Sequence, residues 1–339
     1  MQELGSEFWE NSKIESNYVD TPYRRNLLSG RTAIDYIIRD IKLDRIINSV
    51  LIPSYCCESM LEPFLRNNIT LSFYNPFDLI NITEMSDNVD ALLIMDYFGY
   101  HRIMWNKILD TIDDSKVLIY DSTQSLVGNK EIENRIDYSF ISYRKWYFTN
   151  HCMVKKYKSK FNLDQPIDTN NEYINLRQRA SEYKKNYIEK SIGNKDDYLK
   201  LFNNAESILE SNYVGYVGIP RSTSISEITF KRRENAKFLI DRIKNIPNIE
   251  LLYGRVENTD TPLFVPIIVK TNRDLLRAKL IDNRIYCPVH WPFSKLHQDY
   301  LLDNTLYSTE LSLICDQRYN IVDMERQVKI IEEFSLEMK

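Results

Sequence analysis

Two short apolar runs in the middle of the chain each end in side chains that could do chemistry. The first run, Val117-Leu118-Ile119-Tyr120, leads into Asp121, and the second, residues 138–141, leads into Ser142 and Lys145. Both runs have the length and β-rich composition of buried strands. Because ligands of open α/β sheets bind beyond the carboxyl ends of the strands, we expect Asp121, Ser142 and Lys145 to converge.

A carboxylate, a hydroxyl and a primary amine together suit one cofactor, pyridoxal 5'-phosphate (PLP). The amine of Lys145 can form a Schiff base with its aldehyde, and the carboxylate of Asp121 can keep the pyridine nitrogen protonated as an electron sink. The hydroxyl of Ser142 can help to hold the phosphate. Lys145 alone would more often be a solvated lysine at a strand end, so the prediction of a PLP site depends on the whole set.

The order Asp121, Gln124, Ser142, Lys145 resembles the DegT/StrS-type sugar aminotransferases, which have fold type I of the PLP enzymes, the aspartate aminotransferase fold. Their pattern has an Asp at a strand end, a Gln or His just after it, and then a Ser and the Schiff-base Lys. Residues 142–146 resemble the compact S-x-R-K-W form found in a subset of such sequences. The resemblance covers nearly the whole chain, and it implies that Gln124 lies close to the cofactor ring and that the protein is a homodimer.

Gly30, Arg31 and Thr32 precede an apolar face that repeats with helical spacing, as at the start of a helix. The free N–H groups and the dipole at such a start favour an anion. Taken alone, the stretch favours an ordinary capped helix with an exposed arginine. The resemblance instead implies that this small-residue turn holds the PLP phosphate, and we assign Gly30, Arg31 and Thr32 to it.

Pro53 ends another predicted strand, because proline cannot donate to a strand ladder. The resemblance places a residue that stacks on the cofactor ring shortly after such a proline. Tyr55 and Cys57 both fit that place, and we assign Tyr55 to cofactor binding. A tyrosine packed in the core is an equally good interpretation of the same residue.

Strand-like and helix-like segments alternate in the first half of the chain, which predicts an α/β fold with a largely parallel sheet. From about residue 250 a second pattern of strands and helices predicts a small α+β domain. The resemblance implies a large PLP-binding domain (1–245), in which a seven-stranded sheet lies between helices. It places a small C-terminal domain after it (246–339).

Composition excludes several partners and sites. A net charge of -4 and a pI near 5.8 give no drive toward nucleic acid or an anionic membrane, and no apolar run is long enough to span a bilayer. The first residues lack the pattern of a secretory signal, and five cysteines without CxxC spacing favour reduced thiols and a cytoplasmic location. Four histidines without paired ligand spacing predict no metal site.

Three features leave alternatives open. Residues 146–153 replace a segment that is glycine-rich in most family members, and only residues 226–228 of the stretch 221–228 match the family segment that reaches the partner's cofactor. Arg318 suits either a substrate carboxylate or phosphate, or a salt bridge between domains. His290 is more consistent with a structural or substrate-edge role than with a metal ligand or general base.

The sequence therefore predicts an aminotransferase that transfers an amino group from an amino acid, with glutamate expected, to a keto-sugar. The sugar is expected to be nucleotide-linked and to serve surface polysaccharide or amino-sugar biosynthesis. One alternative is a PLP-dependent sugar dehydratase, although the dehydrating branch has a histidine where this chain has Lys145. The other is a non-catalytic relative that binds a sugar nucleotide.

Overall fold

The computed structural model describes residues 3–9, 21–164, 171–211 and 224–338. In these ranges the strands are β1 (Leu4–Gly5), β2 (Arg24–Leu27), β3 (Ser49–Pro53), β4 (Thr70–Tyr74), β5 (Ala91–Met95), β6 (Val117–Asp121), β7 (Tyr138–Ser142), β8 (Cys152–Lys156), β9 (Ile249–Leu251), β10 (Val265–Val269), β11 (Ile285–Tyr286) and β12 (Glu310–Leu313). The helices are α1 (Gly30–Asp44), α2 (Glu58–Arg66), α3 (Ile82–Asp87), α4 (Trp105–Leu109), α5 (Asn171–Lys190), α6 (Lys195–Ser211), α7 (Ile225–Ile243), α8 (Arg273–Asp282), α9 (Lys295–Asp299), α10 (Thr305–Thr309) and α11 (Ile321–Glu337).

A seven-stranded sheet, in the order β2-β8-β7-β6-β5-β3-β4, forms the larger part of the molecule. Its five strands β4, β3, β5, β6 and β7 are mutually parallel, and β8 runs antiparallel to both of its neighbours. The predicted α/β class with a mostly parallel seven-stranded sheet is confirmed.

Helices cover both faces of this sheet, which is why its central strand β5 is apolar at every position. Alternate residues of β5 point to opposite faces, so that Leu93 packs with α1 and α2, whereas Leu92 and Ile94 pack with Trp105 of α4. Helices α5 and α6 form a separate hairpin, whose apolar contacts include Tyr173 and the residues around it. The sheet is therefore buried between layers, and its strand ends are left to form a site.

A second core lies around the antiparallel sheet β12-β10-β9, which helices α7, α8 and α11 cover. Leu4 belongs to this core, because β1 pairs in parallel with β11. Helix α7 contributes Ala236, Leu239 and Ile243 to the same core. The domain boundary predicted after residue 245 thus follows the end of α7, a helix that packs with the C-terminal sheet.

The turn after β5 docks directly against the C-terminal part of the chain. Gly99 has a φ of +81°, and a Cβ there would come within 1.8 Å of the Thr261 carbonyl oxygen. The same turn is held by hydrogen bonds from the Thr261 amide to the Gly99 carbonyl and from the Leu263 amide to the Phe98 carbonyl. Only glycine fits this position, because both the backbone conformation and the close approach exclude a side chain.

For two features that the sequence does not predict, a membrane span and a metal site, the structure gives information on the described residues. None of their helices combines the length and apolar character that crossing a membrane requires. In the same ranges no cluster of His, Cys, Asp or Glu could hold a metal ion, and all five cysteines are free thiols.

Candidate active site

Asp121 and Ser142 are the last residues of the neighbouring parallel strands β6 and β7, so their side chains leave the sheet at the same edge. Lys145 follows one short 3-10 turn later. All three line a cavity of about 120 Å³, together with Gly30 and Arg31. We call this the first cavity. The convergence expected from the strand ends is what the structure shows.

The Asp121 carboxyl is buried, and one of its oxygens accepts a hydrogen bond from the Thr123 amide at 2.7 Å. Burial raises the pKa of this carboxyl, while the positive charge of Lys145 and the hydrogen bonds from Thr123 oppose that rise. A buried carboxylate in this state gains most from a cationic hydrogen-bond donor.

Ser142 and Lys145 both have unused hydrogen-bonding capacity. The Ser142 hydroxyl is buried and has no hydrogen-bond partner among the described residues. The Lys145 amine lies 3.4 Å from the Thr123 hydroxyl, which is longer than an ordinary hydrogen bond. A buried hydroxyl without a partner is costly in a folded protein, so it indicates a place where a ligand atom belongs.

Helix α1 points its N-terminus at the first cavity, where Ser29, Gly30 and Arg31 line the wall. Ser29 caps the helix, and the Thr32 hydroxyl accepts from the Ser29 amide at 2.8 Å in a complete capping box. Thr32 is therefore used for capping and does not line the cavity. Arg31 forms a 3.0 Å ion pair with Glu62, which offsets its unfavourable position in a first turn.

Two further predicted residues lie outside the cavity lining. Tyr55 packs its ring against other aromatic rings, including Tyr97 at 5.8 Å, and so occupies the core position that the sequence left open. Cys57, the alternative after Pro53, does line the first cavity. Gln124 is fully buried and accepts from the Phe98 amide at 2.7 Å, whereas its Nε2 has no partner among the described residues.

A second cavity of about 320 Å³ shares two lining residues, Arg144 and Lys145, with the first cavity. The rest of its wall comes from widely separated parts of the chain: the N-terminal segment 5–8, α7, residues 263–264, and the C-terminal residues 286–290 and 314–318. The N-terminal part of the chain thus reaches the site through residues 5–8. Its residues 10–20 lie outside the described ranges.

Arg318 and His290 both line the second cavity and both have firm protein partners. Arg318 forms a buried ion pair with Asp316 at 2.8 Å and donates to the carbonyl oxygens of Ser6 and Glu7. This ion pair lies within the C-terminal domain and is therefore not the salt bridge between domains that the sequence allowed, while the two carbonyl contacts hold the N-terminal segment.

A hydrogen-bonded chain fixes His290. Its Nδ1 lies 2.8 Å from the Ser312 hydroxyl, which donates to Glu310 at 2.5 Å, and the Glu310 carboxyl also accepts from the His290 amide at 2.7 Å. Burial and the nearby positive charge of Lys145 lower the pKa of His290 to about 3, so its ring is neutral near pH 7. Burial raises the pKa of Glu310 to about 8.

Several residues at the two cavities were not singled out from the sequence. Thr123 contacts both Asp121 and Lys145, and Arg144 pairs with Glu206 at 2.6 Å on the wall of the first cavity. The position of Arg144 next to Lys145 was the available signal. Residues 221–223 of the proposed cross-subunit segment lie outside the described ranges, and α7 begins directly after them.

Trp146 explains how the chain continues without the family's glycines. It is fully buried among Leu126, Ile141, Ile228 and Leu263, and its indole N–H donates to the Thr123 carbonyl at 3.2 Å. The bulky residue therefore anchors the turn that carries Lys145 against the strand end that carries Asp121.

Solved structures share this architecture. One is the Helicobacter pylori PseC, an aminotransferase involved in the biosynthesis of pseudoaminic acid, with a TM-score of 0.63 and 13% identity over 93% of this chain and 87% of that one. A DegT DnrJ EryC1 StrS aminotransferase from Brucella abortus gives 0.58 and 14% over 92% and 86%. NtdA from Bacillus subtilis with the bound cofactor PMP gives 0.62 and 16% over 92% and 73%. The fold is that of the DegT-type aminotransferases.

No family model and no curated protein matches the sequence. At identities of 13 to 16%, what the structural likeness establishes is the aminotransferase fold. The fold expected from the resemblance is thereby confirmed.

Proposed function

We propose that this protein is a PLP-dependent aminotransferase that acts on a keto-sugar. The observation that carries the proposal is the convergence of Asp121, Ser142 and Lys145 on one cavity, at the strand ends of a DegT-type aminotransferase fold. Fold alone does not imply chemistry, so the proposal depends on these side chains and on their unused bonding capacity.

The residues of the first cavity fit the cofactor. The unpartnered Ser142 hydroxyl and the N-terminus of α1 at Gly30 and Arg31 offer donors and a positive dipole to a phosphate. The buried Asp121 carboxyl, whose pKa is raised by burial, gains a cationic partner when a protonated pyridine nitrogen lies next to it. Cys57 replaces Tyr55 in our proposal as the residue beside the ring, because it lines the cavity and Tyr55 does not.

When bound, PLP supplies an aldehyde that bonds to amines and a protonated ring that withdraws electrons from the bonded carbon. Lys145 would provide the amine that holds the cofactor, and its Nζ, once released, would act as the general acid/base of the 1,3-proton shift by taking the proton from the amino-bearing carbon of the donor. Asp121 keeps the negative charge beside the ring nitrogen. Lys145 can serve both cofactor and substrate because it lines both cavities.

The sugar acceptor is supported by likeness to PseC, an aminotransferase of pseudoaminic acid biosynthesis. We extend the proposal to an amino-acid donor, with glutamate expected, and to a nucleotide-linked sugar of polysaccharide or amino-sugar biosynthesis. A homodimer and a cytoplasmic location complete it, both retained from the sequence. The presence of Lys145 at the centre of the site disfavours the dehydratase alternative.

The test is amino transfer from glutamate to nucleotide-linked keto-sugars, measured as 2-oxoglutarate formed and amino-sugar detected by mass spectrometry. Lys145→Ala is expected to lower the rate by roughly 10⁴-fold or more, because it removes both the covalent attachment and the proton carrier. Lys155→Ala, a change on β8 outside both cavities, is the matched control and is expected to retain activity.

An active Lys145→Ala variant would remove the basis of the mechanism. A wild-type protein that binds keto-sugar nucleotides but never releases 2-oxoglutarate with any of them would favour the binding-protein alternative.

A further inference from the structure

Arg232, on α7, differs from the other arginines of the second cavity in its charge partners. Arg144 is paired with Glu206 at 2.6 Å and Arg318 with Asp316 at 2.8 Å. Among the described residues, no carboxylate lies within the 4.0 Å limit of an ion pair from the Arg232 guanidinium. A cation buried to 1% exposure without a paired anion is an expensive feature of a fold.

The guanidinium of Arg232 is held in place by neutral groups. Its Nε donates to the Gln317 side chain at 2.8 Å, and its Nη1 donates to the carbonyl oxygens of Pro262 and Leu263 at 3.1 and 2.8 Å. The ring of Trp146 lies against it, with 4.8 Å between the guanidinium carbon and the ring centre. These contacts fix the position of the charge without neutralising it.

One nitrogen of this guanidinium, Nη2, has no hydrogen-bond acceptor in the part of the chain that the structure describes. Nη2 donates to no atom of the described residues, and Arg232 lines the second cavity. Burial lowers the pKa of Arg232, and the attraction of Asp316 offsets this only in part. The remaining N–H groups can therefore donate to an acceptor that enters the cavity, and the charge of the guanidinium favours an anion there.

The volume of the cavity also indicates the size of the molecule that carries this acceptor. At about 320 Å³ it has the space of roughly ten water molecules, which suits a small acid. Lys145 lines the same space, so an acid held at Arg232 lies in the cavity where amino transfer is proposed to occur.

We propose that Arg232 binds a carboxylate of the amino donor in the second cavity. This inference rests on the proposed aminotransferase function for the identity of the ligand. An acidic group on the sugar acceptor offers the same chemistry, so the experiments separate the two sources.

The first experiment is calorimetric titration of the purified protein with glutarate, a dicarboxylate without an amine, and with its neutral diamide. Wild-type protein is expected to bind glutarate and to bind the diamide far more weakly. Arg232→Gln is expected to weaken glutarate binding roughly 10- to 100-fold, the contribution of a charge-assisted hydrogen bond, and Arg232→Lys is expected to weaken it less. Arg233→Gln is the matched control, because Arg233 does not line the second cavity.

Equal binding of glutarate to wild type and Arg232→Gln would overturn the inference. If Arg232→Gln does not fold, equal affinity of the wild type for glutarate and its diamide would overturn it as well. Glutarate needs no reaction at Lys145, so this result and a failure of the proposed function are distinguishable.

The second experiment follows the two half-reactions of the PLP-loaded enzyme separately. Arg232→Lys is expected to raise KM for glutamate in the donor half-reaction and to leave KM for the keto-sugar unchanged. A KM change confined to the acceptor half-reaction would contradict the assignment to the donor.

Discussion

The two cavities that meet at Lys145 are built in different ways. The first is formed mainly where adjacent parallel strands end and α1 begins, and Glu206, Leu209 and Trp291 add to its wall from the second half of the chain. The second is assembled from segments that lie as far apart as Gly5 and Arg318. The proposed cofactor chemistry therefore depends mainly on the large sheet, whereas the proposed substrate contacts depend on long-range packing of both chain ends.

After Lys145→Ala, the greatest loss of activity in the first cavity is expected for Asp121→Asn. The amide cannot hold the ring proton as the carboxylate does, so we expect kcat to fall by roughly 10²- to 10⁴-fold. Steady-state rates with saturating PLP measure this loss. The control is Asp113→Asn, which changes an exposed residue. An Asp121→Asn variant with an unchanged kcat would show that the first cavity does not take part in the chemistry.

Ser142→Ala is expected to act on the cofactor alone. It should weaken PLP affinity roughly 10- to 100-fold by removing a hydrogen bond to a charged phosphate, as fluorescence titration would show. The free energy of unfolding of the cofactor-free protein should stay the same or rise, because the hydroxyl has no partner there.

Ser122→Ala is the matched control for this prediction. The Ser122 hydroxyl donates to the Phe140 carbonyl at 2.9 Å, so its loss should cost about 1 kcal/mol of stability without a change in PLP affinity. The reverse pattern, with Ser142→Ala destabilising the protein and PLP affinity intact, would argue that Ser142 is structural.

Near the second cavity, Glu310 leads to a prediction about how stability depends on pH. Its pKa rises from 4.5 to about 8 in the folded protein, mainly because of burial. Between these values the folded state holds a proton that the unfolded state has released. Stability therefore falls as the pH rises through this window, and the loss is complete above about pH 8.

Glu310→Gln removes this titration while keeping a side chain of the same shape beside His290 and Ser312. We expect the Tm of the wild type to decline relative to that of the variant between pH 5 and pH 8, as measured by calorimetry at closely spaced pH values. A constant difference in Tm across that range would show that Glu310 is ionised in the folded protein.

The smallest effect is expected for Tyr55→Phe. The hydroxyl of Tyr55 is buried without a hydrogen-bond partner among the described residues, and the ring lies outside the lining of the first cavity. Stability should change by less than about 1 kcal/mol, with PLP affinity unchanged. A clear loss of PLP affinity would indicate that Tyr55 contacts the cofactor and would favour it over Cys57 as the residue beside the ring.

The sequence predicted the first cavity well for a physical reason. Apolar runs identify buried strands, and parallel strands expose their carboxyl-end residues at one edge, so Asp121 and Ser142 could be placed from local pattern alone. The capping pattern likewise located the start of α1 at Gly30. Thr32 and Tyr55 do not line this cavity, because local pattern does not show which of several neighbouring side chains points into a cavity.

The second cavity could not be predicted in the same way. Arg232 gains its position from Gln317, which lies 85 residues away, and from two carbonyl groups of a loop that carries no motif. Likewise, Lys156 looks like one member of a charged run but forms a buried 2.8 Å ion pair with Asp40. Such contacts are set by tertiary packing and leave no periodic signal in the sequence.

The most direct test of the account is borohydride reduction of the protein after incubation with PLP, followed by peptide mass mapping. We expect visible absorbance that reduction removes, with a pyridoxyl adduct on the peptide that contains Lys145 and none on that peptide in Lys145→Ala. A colourless protein, or an adduct confined to other lysines, would contradict the assignment of Lys145 as the residue that holds the cofactor.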